Sequence, residues 1–323
     1  MSSESANNPT PLVQRRPPHS APLRSSPDRA ALTSLLSNET LSRLERLRLR
    51  PRRRQTNRTQ GEHLSGKGGS SIEFSDFRDY VPGDDVRHLD WNIFARLNRP
   101  YIKLFQHEEE MHVLVLLDGS ASMLFGDKLA AAQRLAAAFG VMSLFGVERL
   151  SIHVCGEKEG PLRTLPPCRG RVNLTRMLRF LESVEGGGTQ RIDEAIEDVL
   201  KTHRGRGIAV VLSDFLTAGD LRRPFNRLYS AGLELMAIQI LAPEEIDPDI
   251  AGDWRFVDAE TQQTLDISSA AELLGLYHEH RQALERFLES ECRKRNGRFL
   301  SIASDEPVES VVFDKLQRQG WIR

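Results

Sequence analysis

Two short, unbroken apolar runs constrain this chain most: Val113-Leu114-Val115-Leu116-Leu117 and Ile208-Ala209-Val210-Val211-Leu212. A strand with one wet face alternates apolar and polar residues. A short run with no polar position suits a strand covered on both faces, as in parallel sheets whose crossover helices lie above and below. Similar segments at 150–154, 235–241 and 298–303 alternate with stretches of helical period. The helical stretches are marked by Leu135, Phe139 and Met142; by Leu174, Met177, Leu178 and Leu181 behind Asn173; by Ile192, Ile196 and Val199; and by Leu221, Phe225 and Leu228. A long helix is expected at 269–295 and a last one through Val308, Val311, Val312 and Leu316. This alternation predicts a doubly wound, mainly parallel, Rossmann-like α/β sheet over 107–303, followed by a C-terminal helix within 304–323. Residues 161–165 read as a short edge strand interrupted by Pro166-Pro167, and 255–258 with 264–267 read as a surface hairpin.

The region before residue 107 differs. Residues 1–34 are rich in Ser, Pro, Asn and Arg without apolar periodicity, which predicts a disordered arm. Residues 35–106 read as a basic helix plus a loop-rich flanking module. Leu35, Leu36, Leu41, Leu44, Leu47 and Leu49 lie among Arg43, Arg46, Arg48, Arg50, Arg52, Arg53, Arg54 and Arg58, with Asn38 or Thr40 available as a cap. Such a helix either docks its leucines on the main body or serves an anionic surface. From residue 61 glycines accompany Phe74, Phe77, Tyr80, Trp91 and Phe94, with a turn at Pro82-Gly83. Arg78, Asp84, Asp85, Arg87 and Asp90 here form either a salt-bridged loop or, with Trp91, a partner-binding surface.

A formal net charge of −1 gives the whole chain no electrostatic reason to bind nucleic acid, which leaves the arginine arm as the one such candidate. The three cysteines, Cys155, Cys168 and Cys292, form no CxxC pair and read as reduced thiols. No run approaches the roughly 18–20 apolar residues of a membrane span, and the first residues lack the apolar core of a secretory signal. A cytoplasmic protein is expected.

Chemistry converges where the two apolar runs end. Asp118 follows the first directly, with Ser120 and Ser122 behind it in DGSAS, and Asp214 follows the second in LSDF. In an open parallel sheet the carboxyl ends of the strands share one edge, and ligands bind where the strand order reverses. Thr189, in GGGTQ ahead of a helix, is expected on the same edge. Two carboxylates and three hydroxyls, with no thiol or imidazole expected nearby, form an all-oxygen set suited to Mg2+ or Mn2+ rather than zinc. Neutral hydroxyl ligands leave positive character on the ion, so a carboxylate from another protein is its natural further ligand.

The Asp118, Ser120, Ser122, Thr189 and Asp214 pattern resembles the metal-ion-dependent adhesion site of von Willebrand factor type A domains, over roughly 110–303. The flanking residues Gly61, His63, Ser65, Gly66, Gly68, Glu73-Phe74, Arg78, Tyr80, Gly83-Asp84-Asp85, Arg87, Asp90-Trp91 and Ala95-Arg96 resemble the bacterial family catalogued as domain of unknown function 58. So does the Asp258-Glu260-Thr261 hairpin. The resemblance implies a type A-like domain behind a flanking segment, a protein-interaction role, and a MoxR-type AAA+ ATPase as partner in chaperone-like assembly or regulation. One departure is Gln190, where the pattern has an acid after the threonine.

Two other functions compete with adhesion. Asp118 after a strand invites comparison with aspartyl-nucleophile phosphoester hydrolases, but the acid those enzymes carry two residues on is Ser120 here. DGSAS also lacks the GxSxG of serine hydrolases. A nucleic-acid-binding protein working through the arginine arm is the other. His278 and His280 are two apart on the expected helix and point in different directions, and no GxxxxGK[ST] loop is present.

Overall fold

The strand formed by the first apolar run divides the interior. Val113, Val115 and Leu117 face one hydrophobic cluster, while Leu114 and Leu116 face a second on the opposite side of the sheet. This follows from the two-residue period of a strand: when both faces are covered, every position must be apolar. The computed structural model describes residues 32–52, 56–57, 72–108, 111–158, 160, 162–217, 219–248, 254–257, 264–267 and 271–323.

In chain order, α1 (Asn38–Leu44) precedes a small antiparallel sheet of β1 (Thr56–Asn57), β2 (Ile72–Asp79) and β3 (Tyr101–Glu108), with α2 (Trp91–Leu97) between the last two strands. The main domain then runs β4 (His112–Asp118), α3 (Lys128–Phe145), β5 (Arg149–Cys155), β6 (Leu162–Cys168), α4 (Leu174–Glu182), α5 (Ile192–Thr202), β7 (Gly207–Ser213), α6 (Arg222–Ser230) and β8 (Leu233–Leu241). It continues with α7 (Pro243–Ile246), the hairpin β9 (Trp254–Val257) and β10 (Thr264–Ile267), α8 (Ala271–Lys294) and β11 (Arg298–Ala303). A wide-turned helix, Ser310–Leu316, buries Val311, Val312 and Leu316.

The six-stranded sheet has the order β11-β8-β7-β4-β5-β6, parallel except where β6 joins β5. The chain builds outward from β4 through β5 to β6, then returns to β4's other side with β7. The order therefore reverses between the two strands that carry Asp118 and Asp214. The expected α/β class, with β4 and β7 as central neighbours, is what the structure has.

Two local expectations need correction. Helix α1 is capped by Ser37, whose hydroxyl accepts from Thr40 N at 3.0 Å, rather than by Asn38 or Thr40. Strand β6 runs through Pro166-Pro167 to Cys168 instead of stopping before them. It is an edge strand, where a missing N–H costs no ladder bond, and its register slips between Leu150 and Ile152 to absorb the irregularity. The long helix expected at 269–295 is present over its described residues, Ala271–Lys294.

The leucines of the basic segment dock on the body. Leu36, Leu41, Leu44 and Leu49 are buried in the same cluster as α3 and the C-terminal helix. Arg48 N and Arg50 N donate to Arg323 O and Trp321 O at 2.9 Å each, so the two ends of the domain pair with one another. Beneath them the ion pair Arg298–Glu234 is buried at 3.2 Å. The arm at 1–31, the glycine-rich 61–68 stretch, Arg53, Arg54, Arg58, Glu109, Glu110 and the Asp258, Glu260 and Thr261 tip lie outside the described residues.

Candidate functional site

Asp118 ends β4 beside Ser213 of β7, and its side chain is almost wholly enclosed, at 4% exposure. One carboxylate oxygen, Oδ1, accepts from Ser120 N at 2.9 Å; the other, Oδ2, accepts from Ser213 Oγ at 2.6 Å. Burial, reinforced by the nearby negative charge of Asp214, pushes its pKa up to about 6, against the lowering effect of those hydrogen bonds. A desolvated carboxylate facing a second one is a place where a cation is favoured.

The loop after β4 brings the hydroxyls together. Ser120 Oγ and Ser122 Oγ lie 3.1 Å apart. Backbone contacts fix the loop: Gly119 N donates to Cys155 O at 2.8 Å, and Ala121 N donates to Gly188 O at 3.0 Å. Ser120 and Gly188 form an isolated parallel bridge, which sets Thr189, the next residue and an exposed one, beside the serine loop. This approach depends on glycine. Gly156 has φ +70, and a Cβ there would lie 2.6 Å from Ser120 N; Gly186, also at φ +70, would place one 2.8 Å from Gly119 O.

Asp214 follows β7 and is 2% exposed. Its Oδ1 accepts from Leu216 N at 3.0 Å, and its Oδ2 accepts from Lys128 Nζ at 2.8 Å. Gln239 Nε2 donates to its backbone oxygen at 3.1 Å, tying the turn to β8. All five expected residues thus gather at the carboxyl edge of the sheet. Gln190 turns aside and donates to Asp198 at 3.2 Å.

The donor set fits a hard divalent ion: Asp118 and Asp214 supply charge, and Ser120, Ser122 and Thr189 supply neutral oxygens. Among the described residues no cluster of three or more His, Cys, Asp or Glu offers a competing arrangement. The expectation that no thiol lies nearby is corrected. Cys155 pairs in register with Asp118 on the adjoining strand. Burial, and then the charge of Asp118, raise its pKa well above the usual thiol value, and its Sγ donates to Leu117 O at 3.7 Å. Cys155, Cys168 and Cys292 are all free.

Three neighbours escaped the sequence reading: Ser213, Lys128 and Glu245. Ser213 closes the apolar run of β7 just before Asp214, and no local pattern sets its hydroxyl apart from an ordinary strand-end serine. Lys128 heads the alanine- and leucine-rich helix α3, but a lysine at a helix start ordinarily reads as solvated, and nothing local marks it as buried.

The second candidate set is arranged differently. Arg78 grips Asp84 with two bonds of 2.6 Å, and Arg87 meets Asp85 at 2.6 Å. Asp90 caps α2 through Asn92 N and Ile93 N and pairs with Lys103 at 3.1 Å. These charges are spent on one another within the flanking module. Trp91, by contrast, is 63% exposed, edge-on to Phe94 at 6.1 Å.

Numbered within the sheet, the strand order is 3-2-1-4-5-6 with an antiparallel third strand, and an aspartate-and-hydroxyl crevice sits at the point of reversal. The protein is a doubly wound α/β protein with a mainly parallel six-stranded sheet. The chain belongs to the family described as "Protein of unknown function DUF58", whose model matches residues 76–286. It is 32% identical over 209 residues to an uncharacterised protein of Mycobacterium tuberculosis, covering 62% of this chain and 65% of that one. The match thus spans just under two thirds of that relative's length. Among solved structures it is similar to the conserved hypothetical protein BatB from Bacteroides thetaiotaomicron, at 16% identity and TM-score 0.40, over 64% of this chain and 98% of that one. It is also similar to the manganese-loaded TRAP protein of Plasmodium vivax, at 16% identity and TM-score 0.33, over 41% and 57%. No helix among the described residues is long and apolar enough to cross a membrane.

Proposed function

We propose that this chain is a non-enzymatic protein-interaction module whose crevice binds a partner through a divalent cation, Mg2+ or Mn2+. The observation that carries the reading is the enclosed Asp118 carboxylate at the strand-order reversal, with Asp214 beside it and the Ser120 and Ser122 hydroxyls 3.1 Å apart on the adjoining loop. Asp118, Ser120, Ser122, Thr189 and Asp214 are the residues to hold the ion. A bound ion supplies a positively charged acceptor for one further oxygen, and a partner's carboxylate matches it. The resemblance to the family points to a MoxR-type AAA+ ATPase as that partner, in chaperone-like assembly or regulation in the cytoplasm.

The protein's own groups favour binding over chemistry. Ser120 stands where an aspartyl-nucleophile hydrolase carries its second acid, two residues after Asp118. In the flanking module, Trp91 is the side chain offered to a partner, while the Arg78–Asp84, Arg87–Asp85 and Lys103–Asp90 pairs hold its loop in shape. The basic segment serves the core through its leucines, which argues against a nucleic-acid arm.

The test is capture of the ATPase by the full chain with Mg2+, with chelator, and with Asp118→Ala. Binding that requires Mg2+ and is lost in the variant, with an unchanged circular dichroism spectrum, is expected. Equal capture in all three conditions sinks the metal-bridged reading.

A further inference from the structure

The crevice already contains a cation of its own. Lys128, the first residue of α3, is 0% exposed, and its ammonium donates to Asp214 Oδ2 at 2.8 Å and to Glu245 Oε1 at 2.6 Å. A buried ammonium is tolerated only where carboxylates compensate it, and here two do. Glu245 is itself held. Its Oε2 accepts from Ala242 N at 2.8 Å, and its backbone oxygen accepts from Tyr277 Oη at 2.6 Å. The ammonium is thus shared between a residue of the candidate cation site and one outside it.

We infer that Lys128 and Glu245 together set how tightly the crevice holds a divalent cation. The inference rests on the cation reading given above. Asp118, Asp214 and Glu245 set three carboxylates against one ammonium, which leaves two net negative charges, matching one divalent ion. Lys128 competes for an oxygen of Asp214, and Glu245 draws part of the ammonium's charge away from that aspartate. The two residues therefore act on the ion with opposite sign. Removing the lysine charge strengthens the ion's attraction to Asp214, and removing the glutamate charge commits the ammonium to Asp214 alone. A unit charge a few ångströms from an ion inside a protein changes its binding by at least about tenfold.

The experiment titrates Mn2+ into the full-length chain and follows free Mn2+ by electron paramagnetic resonance, with circular dichroism to check folding. Lys128→Gln is expected to bind Mn2+ at least about tenfold more tightly than the unaltered chain, and Glu245→Gln at least about tenfold more weakly. The double variant restores the original net charge and is expected to return close to the original affinity. Adding Asp118→Ala to Lys128→Gln is expected to abolish the gain. Should Lys128→Gln not fold, weakening in Glu245→Gln and recovery in the double variant still decide the matter. Mn2+ affinity unchanged by either charge, but lost in Asp118→Ala, overturns this inference and leaves the cation reading standing. Mn2+ binding that survives Asp118→Ala, or no binding in any form, overturns both.

Discussion

In the sheet body Lys128 is fully enclosed and shares its protons between Asp214 and Glu245; in the β2–β3 module Arg78 reaches Asp84, and Arg87 reaches Asp85, through bonds just as short. The difference lies in the surroundings. Side-chain exposure is 0% and 2% for Lys128 and Asp214, against 79% and 32% for Arg87 and Asp85. Water and salt screen the module's pairs, so their attraction is mostly matched by what the separated groups recover from solvent. Around Lys128 that alternative is absent, and removing one partner strands the others without compensation. Bond length alone does not rank these contacts; enclosure does.

The largest effect tests this ranking directly. Lys128→Met leaves Asp214 and Glu245 enclosed without their counter-charge and is expected to cost about 3–5 kcal/mol of unfolding free energy. The measurement is urea denaturation in chelator, because a divalent ion that fills the charge deficit stabilises the folded variant and masks the loss. Arg298→Met, which strands Glu234 at the other end of the sheet, is expected to cost a similar amount. A loss no larger than that of a surface pair in both variants breaks the comparison.

Acidification gives the next effect, again in the body. His153 on β5 is enclosed, and burial, helped by the positive charge of His203, lowers its pKa from 6.5 to about 4. The folded state therefore keeps the ring neutral at a pH where the unfolded chain protonates it. Its contribution is fully present above pH 6.5 and disappears as pH falls toward 4, an expected loss of roughly 3 kcal/mol. Glu148 opposes it. Burial raises that carboxyl from 4.5 to about 7, so the folded state favours its protonated form and loses stability as pH rises through that interval. Asp118, raised from 3.8 to about 6, acts in the same direction as Glu148, so in the unaltered chain both partly cancel the acid loss from His153. Glu148→Gln is expected to show a steeper acid loss than the unaltered chain, and His153→Leu a shallower one. Parallel unfolding-versus-pH curves for both variants contradict the assignment.

The contrast between body and module also explains what was legible in the sequence. The runs Val113–Leu117 and Ile208–Leu212 announced their burial because a strand covered on both faces has no polar position to spare. DGSAS and LSDF stand out because each follows such a run, so the placement of Asp118, Ser120, Ser122 and Asp214 at one sheet edge was legible from local pattern plus one rule about strand ends. Lys128 was not, since its partners are 86 and 117 positions away, and a lysine at a helix start ordinarily reads as solvated. Cys155 was missed because only the β4–β5 register sets it against Asp118. Strand β6 was cut short because Pro166-Pro167 breaks most strands, and only its place at the sheet edge makes them harmless. In the module, Arg78, Asp84, Asp85 and Arg87 were visible as opposite charges close in sequence, and their pairs are correspondingly local.

The smallest expected effect is therefore in the module. Asp84 also accepts from Val81 N at 2.9 Å, so replacing it disturbs a turn as well as a pair. A double-mutant cycle separates the two: Arg78→Ala, Asp84→Ala and the double variant are compared in low salt and in 1 M NaCl. The coupling between the side chains is expected to be barely resolvable in low salt and absent in high salt, because both groups remain in contact with water. The turn's share appears instead as a salt-independent shift confined to the variants lacking Asp84. A coupling that persists in 1 M NaCl means that the pair is shielded from solvent after all. That result would move the flanking module to the enclosed side of the comparison and make Arg78 and Asp84 structural equals of Lys128 and Asp214.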